Sequence, residues 1–499
     1  MGESGKVNHK FVCKRRRGKI DMRNVVIMLT ISAALPLWTE PRACAKEARP
    51  ATAYKDVLIK GVPHVRQRPD FCGEACAEMY LRKLGHELDQ DDVFNASGLD
   101  PAEGRGCRTA ELAAALKAIG FDAGPVWYRI SAAQADEQIE AQFRMLHGDL
   151  VRGIPSIVCM HYDDKPKANE HFRLVLGYDS KKDEIIYHEP AEAAGACRRM
   201  KRAKFFELWP LKYEKKQWTL IRIRLKAGKI REAEPSKGFT DADYAQRIMA
   251  LRKKVPNSGF TVVLQKPFVV IGDEAPAVVR RRSVRTIKWA ADKLKQDYFE
   301  KDPPDIIDIW LFRDEKSYKK YALEIFGDSP ETPFGYYSHQ HNALIMNIGT
   351  GGGTLVHEIV HPFMSSNFPE CPAWFNEGLA SLYEQSQEKD GHIWGLTNWR
   401  LAGLQDDIRT GRIGSFEALT YTTEGEFYRC DKGNNYAQAR YLCYYLQQRG
   451  LLAKFYHEFY ANHRKDPTGY ATLKKVLGGE DMAAFQKRWE QFVLKLTFP

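Results

Sequence analysis

His357-Glu358-Ile359-Val360-His361 constrains this chain more than any other run. On an α-helix, histidines four residues apart stand about 40° apart around the axis and about 6 Å apart along it. Both imidazoles then reach one metal ion, and Glu358 between them is placed to take a proton from an activated water. The flanks agree with a helix. Gly351-Gly352-Gly353 is a breaker run, and Thr354 is a good N-cap before Leu355 and Val356. Pro362 follows the second histidine at once, lacks an N–H and clashes one turn back, so it predicts a kink or an early end. Further on, Glu377 lies in Trp374-Phe375-Asn376-Glu377-Gly378-Leu379-Ala380, with Pro372 suited to the first position of a second helix. Its apolar neighbours predict a partly buried helix, where an unpaired carboxylate is costly. Two His and one Glu suit zinc and leave its fourth position open.

Together, the His357–His361 run and Asn376-Glu377-Gly378-Leu379-Ala380 resemble the gluzincin metallopeptidases. The resemblance covers residues 259–499. It implies His357, His361 and Glu377 as zinc ligands and Glu358 as general base and acid. It also implies an upstream edge strand that binds an extended substrate, supplied by Gly335–Ser338 and Asn342–Asn347 around His339-Gln340-His341. Asn435–Leu442 resembles the later helix of that family, from which a Tyr would hydrogen-bond the oxyanion. Tyr436 is the candidate, with Tyr441 and Tyr444 as alternatives.

A second constellation lies nearer the N-terminus. Gln67-Arg68-Pro69-Asp70-Phe71-Cys72-Gly73-Glu74-Ala75-Cys76 opens a helix that runs to Gly85. A thiolate at a helix N-terminus is stabilised by the dipole and the free amides. Its base must come from elsewhere in the chain. His171, before the buried-strand pattern Phe172–Tyr178, is the candidate, with His161 and His188 as alternatives. Glu189, closing the strand pattern Glu184–Pro190, would orient the imidazole.

This arrangement is similar to the papain-like cysteine peptidases that process bacteriocin leaders in ABC exporters. The resemblance covers residues 55–225 and implies Gln67 at the oxyanion hole, Cys72 as nucleophile and His171 as base. Gly104-Arg105-Gly106 and Gly153–Val158 also suit that family. Glu189-Pro190 stands where the family has Asp-Pro, and the nearby Cys76 leaves open a disulfide at Cys72. A domain that binds peptide without cutting it is the alternative.

Composition decides compartment and partners. Residues 1–45 carry nine Lys/Arg and three Asp/Glu, a net of +6 out of +11 for the chain. The remainder is only mildly basic, so nothing calls for nucleic acid, and Arg280-Arg281-Arg282 reads as a solvated helix face. Lys14-Arg15-Arg16-Arg17, an apolar run from Val25 and Ala43-Cys44-Ala45 have the order of a secretory signal. Met22 is an alternative start. The apolar run is short of the roughly 20 residues that span a bilayer, so membrane contact is expected only through an uncleaved signal. A secreted or periplasmic protein follows, in which some of the eight later cysteines should pair, Cys371 with Cys430 among the options.

The expected organisation is a signal (1–45), a papain-like domain (55–225), a linker with one helix near Asp241–Lys253 (226–258), and a zincin-like α+β domain with a helical C-terminal part (259–499). Ile221–Leu225 is expected as an edge strand. The expected function is zinc-dependent hydrolysis of a peptide or protein substrate. The alternative is a peptide- or cell-wall-binding protein with one or both sites inactive. Oligomeric state is not legible.

Overall fold

Alternating buried residues build the first layer. Along Glu170–Asp179, the side chains of Phe172, Leu174 and Leu176 enter one core, and those of Val175 and Tyr178 enter another. Alternation from Phe172 to Leu176, shifted by one residue at an irregularity between Val175 and Gly177, buries both faces and marks a central strand. In the computed structural model, which describes residues 54–165, 168–232, 238–429 and 434–498, this strand is β4 of a seven-stranded sheet. The others are β1 (Val57–Leu58), β2 (Trp127–Ser131), β3 (Ser156–His161), β5 (Glu184–His188), β6 (Arg198–Lys201) and β7 (Gln217–Arg224). The order is β2-β7-β3-β4-β5-β6, with β1 against β4, and every pairing is antiparallel. Helix α1 (Cys72–Lys83) covers one face and α2 (Ala135–Val151) the other, through Ile139, Phe143, Leu146 and Leu150. The strand expected at the sheet's edge, Ile221–Leu225, is instead the interior β7. Leu220, Ile221 and Ile223 are buried on its two faces, which an edge position would leave open.

The second sheet comprises β8 (Thr261–Gln265), β9 (Phe268–Gly272), β10 (Ile307–Phe312), β11 (Gly335–Ser338) and β12 (Ala343–Asn347), in the order β8-β9-β10-β12-β11. β9, β10 and β12 run parallel, and β11 is antiparallel to β12 at the edge. Phe268, Val270, Ile309, Leu311, Leu344 and Met346 face the helical core. That core contains α4 (Gly353–Asn367), α5 (Ala373–Leu382) and α6 (Asn434–Gln448).

Between the sheets lies α3 (Asp241–Lys254), from the segment expected as linker. A capping box starts it: the Thr240 hydroxyl accepts from the Asp243 amide, and the Asp243 carboxylate accepts from the Thr240 amide. Ala242, Ala245 and Met249 pack into the first domain, whereas Tyr244, Ile248 and Leu251 pack on the outer face of the second sheet. Arg247 clamps the buried Asp308 carboxylate through two bonds of 2.9 and 2.6 Å. From Tyr54 onward the chain is one compact unit. The expected signal segment and Cys430 lie outside the described residues. No described helix is long and apolar enough to cross a membrane. The seven described cysteines, Cys72 included, are free thiols.

Candidate functional site

Helix α4 carries the His357–His361 run, but its ends differ from expectation. It starts at Gly353, with Gly352 rather than Thr354 as cap, and it continues through Pro362 to Asn367. A Cβ on Gly353 would stand 2.0 Å from the Glu384 carbonyl oxygen, so this close approach requires glycine. Pro362 removes one backbone bond, to the Glu358 carbonyl. The buried Phe363 and Met364 that follow hold the next turn in place by packing.

The structure brings His357, His361 and Glu377 together, with one donor atom from each within 4.8 Å of the others. Glu377 Oε2 lies 3.3 Å from His357 Nε2, and Oε1 lies 3.9 Å from His361 Nε2. Glu377 Oε2 is buried and accepts no hydrogen bond. Such an orphaned carboxylate oxygen beside the His357 nitrogen, with the other oxygen of the same carboxylate turned to His361, fits a bound cation. The far side of each imidazole is also occupied. Asn376 Oδ1 lies 3.0 Å from His361 Nδ1, and Glu384 Oε1 lies 3.3 Å from His357 Nδ1. Arg400 and Asn398 in turn hold the Glu384 carboxylate, at 2.9 and 3.0 Å. Burial works to lower His357, but Glu377 and Glu384 overcome it and lift the imidazole well above its ordinary range. Burial raises Glu358, and the adjacent carboxylates add to this while the two histidines partly offset it.

Glu358 lies at the junction of two cavities. One, of about 780 Å³, is lined by Tyr336, Tyr337, His339, His361, Glu377 and Tyr428. The other, of about 540 Å³, is lined by Phe334, Gly351, Gly352, Asn398, Trp399 and Arg400. His357, Glu358 and Tyr436 line both. The edge strand β11 runs alongside from one to the other. Tyr441 is buried against Asn398, whose amide donates to its hydroxyl at 3.0 Å, and it lines neither cavity. Tyr444 packs on Phe492 and also lines neither. Tyr428 was not singled out from sequence, yet its hydroxyl donates to Glu377 Oε1 at 2.8 Å. Glu384, Asn398 and Arg400 were missed as well. No fixed spacing announces them, and Glu384 lies just past the end of α5.

In the first domain Cys72 is the first residue of α1. Its sulfur accepts from the Phe172 amide, next to His171 on β4. His171 Nε2 donates to Glu189 Oε1 at 2.5 Å, which leaves Nδ1 with the lone pair. Arg173 Nε donates to the other Glu189 oxygen at 2.7 Å, and the Ala191 amide donates to the carboxylate at 3.1 Å. Burial would raise Glu189, but its partnership with His171, the charge of Arg173 and the Ala191 amide hold it below the usual range. Glu189 therefore reaches the imidazole although it is one methylene longer than Asp. Arg173 is a missed residue with a legible signal, an Arg inside the apolar run Phe172–Leu176. The Gln67 amide donates to the Pro190 carbonyl at 2.9 Å, which seats Gln67 beside Glu189.

The expected lowering of the Cys72 thiol is not found. Burial pushes it up to about 12, with Glu74 and Asp70 adding to the effect, and the Phe172 and Gly73 amides recover only part. Desolvation here outweighs the helix terminus. Glu74 is itself fully buried. It accepts from the Cys107 amide at 2.6 Å and is pushed up to about 7 by desolvation. Of the alternative bases, His188 has both nitrogens engaged, by the Val62 carbonyl at 3.0 Å and the Cys197 amide at 2.9 Å. His161 ends β3 and lends its carbonyl to Arg173.

No curated protein is similar enough to the chain to count as a match. Residues 59–216, which carry Cys72, His171 and Glu189, match the family model described as Peptidase_C39 like family. This part of the chain is thus a C39-peptidase-like domain within a mixed α/β protein, and the match points to a peptidase of the cysteine type.

Proposed function

We propose that the protein is an exported peptidase whose principal centre is a gluzincin-type zinc site at His357, His361 and Glu377, with Glu358 as general base and acid. The observation that carries this reading is the convergence of the three donor groups within 4.8 Å on α4 and α5, next to Glu358 and an open groove. Zinc held there would supply Lewis-acid activation of water and of the scissile carbonyl. Glu358, raised by burial, takes the proton of the attacking water and delivers it to the leaving amine. Tyr436, on the groove wall, donates a hydrogen bond to the oxygen on which negative charge develops. An extended peptide adds to the free side of β11 through main-chain bonds. The basic-then-apolar order of the first 45 residues supports export.

For the Cys72 site, one observation favours a second reading, a domain that holds peptide without cutting it. Desolvation at this partly buried thiol, strengthened by Glu74 and Asp70, works against thiolate formation. Labelling with a thiol-directed probe under native, reducing conditions separates the two. Rapid modification of Cys72, abolished in His171→Ala, supports a working nucleophile, and absence of labelling supports the holding role. For the zinc site, the test is Glu358→Gln, which should keep stoichiometric zinc and lose peptide hydrolysis.

A further inference from the structure

The two halves of the groove differ in what they offer a ligand. On the side away from Tyr428, two large aromatic side chains stand in water beside the catalytic carboxylate. Trp399 is 61% exposed and Phe334 is 46% exposed, and both line the cavity that contains Glu358 and His357. Neither sits on loose chain. The guanidinium of Arg400 lies 4.2 Å from the Trp399 ring and 5.2 Å from the Tyr436 ring, and it is anchored on Glu384. On the other side of Trp399, the Asn398 amide is tied to the Tyr441 hydroxyl. The Phe334 carbonyl accepts from the Asn347 amide at 2.8 Å, and the Asn347 side chain holds the Pro333 carbonyl at 2.8 Å. Gly351 and Gly352 line the same cavity without side chains, and a Cβ on Gly351 would meet nothing within 4 Å. The result is an open slot with fixed aromatic walls.

Exposed aromatics pinned in place next to reactive groups are poor for solubility and good for recognition, because a rigid ring loses little entropy when it packs on a ligand. Phe334 immediately precedes β11, so a peptide lying along that strand directs alternate side chains towards this slot. We infer that Phe334, Trp399 and Tyr436 form a specificity pocket for one large apolar, above all aromatic, side chain adjacent to the bond that is cut. This deepens the hydrolytic reading above and rests on it.

The test uses zinc-loaded full-length protein and blocked nonapeptides of Gly, Ala and Ser that carry one Phe, compared with the same peptides carrying Ala. Wild type should favour Phe by about tenfold or more in kcat/KM, with cleavage fixed next to that residue, and Trp399→Ala should collapse the ratio towards one. Cleavage with no Phe preference, or a ratio unchanged in Trp399→Ala protein of normal zinc content, overturns the pocket and leaves the hydrolytic reading intact. Equilibrium binding of the same fluorescent peptides to Glu358→Gln protein, with and without Trp399→Ala, gives a readout free of turnover. Phe-selective binding erased by Trp399→Ala, without cleavage by wild type, keeps the pocket and removes the hydrolytic reading. Binding without selectivity overturns the pocket.

Discussion

At the scale of single residues, the candidate zinc site is defined as much by what stands behind the donors as by the donors. Glu384 faces His357 Nδ1 and is itself clamped by Arg400 and Asn398. A carboxylate behind a ligating imidazole fixes its orientation and raises its basicity. Glu384→Gln should therefore weaken zinc binding by about tenfold or more in a chelator-competition titration, and an unchanged affinity would remove Glu384 from the site. Glu74 offers a pH test. Its folded value near 7 lies above the ordinary 4.5, so its contribution is complete below pH 4.5, is lost as pH rises to 7, and is flat above. Glu74→Gln should thus stabilise the protein at pH 8 by up to about 3 kcal/mol in denaturant melts and be near neutral at pH 4.5. An equal effect at both pH values would contradict the assignment. At this scale the sequence was legible where chemistry imposes spacing, as at His357, Glu358, His361 and Cys72. Tyr428, Glu384 and Arg400 come from separate elements whose convergence only the fold creates. Desolvation of the partly buried Cys72 thiol was equally hidden, because helix position is local and desolvation is not.

At the scale of elements, most helices and strands followed from apolar periodicity, and the departures have packing causes. Pro362 does not end α4, because the turn after it buries Phe363 and Met364 in the helical core. β7 is interior because it is apolar on both faces. The start of α4 is set by the backbone of Glu384, not by Thr354. Gly353→Ala would drive a methyl into that carbonyl, so it should cost about 1–3 kcal/mol in urea unfolding and weaken zinc binding through displacement of Glu384. A fully tolerated alanine would show that the approach of α4 to Glu384 is looser than described.

At the scale of the whole molecule, the main surprise is α3. The helix itself was expected near Asp241–Lys253, but the Lys, Arg, Glu and Ala content of residues 226–258 reads as linker, because the two apolar stripes of α3, Ala242–Ala245–Met249 and Tyr244–Ile248–Leu251, serve different cores. Each stripe alone is too narrow to stand out from the charges between them. Without α3, Ile271, Trp310 and Ile345 would lose their cover. Residues 259–499 made alone should therefore bind apolar dyes and aggregate, whereas 239–499 should be better behaved. Arg247→Ala would leave the buried Asp308 unpaired, and a loss of roughly 2–4 kcal/mol in denaturant unfolding is expected.

The proposed reaction has His357, His361 and Glu377 hold zinc for hydrolysis, with Glu358 as base. Its most direct test is cleavage of a peptide library by wild-type and Glu358→Gln protein, with the zinc content of each determined in parallel. The expected result is chelator-sensitive cleavage by wild type, restored by zinc, and turnover slower by about a hundredfold or more in Glu358→Gln at equal zinc content. Equal cleavage by the two proteins, or cleavage indifferent to chelator, would contradict it.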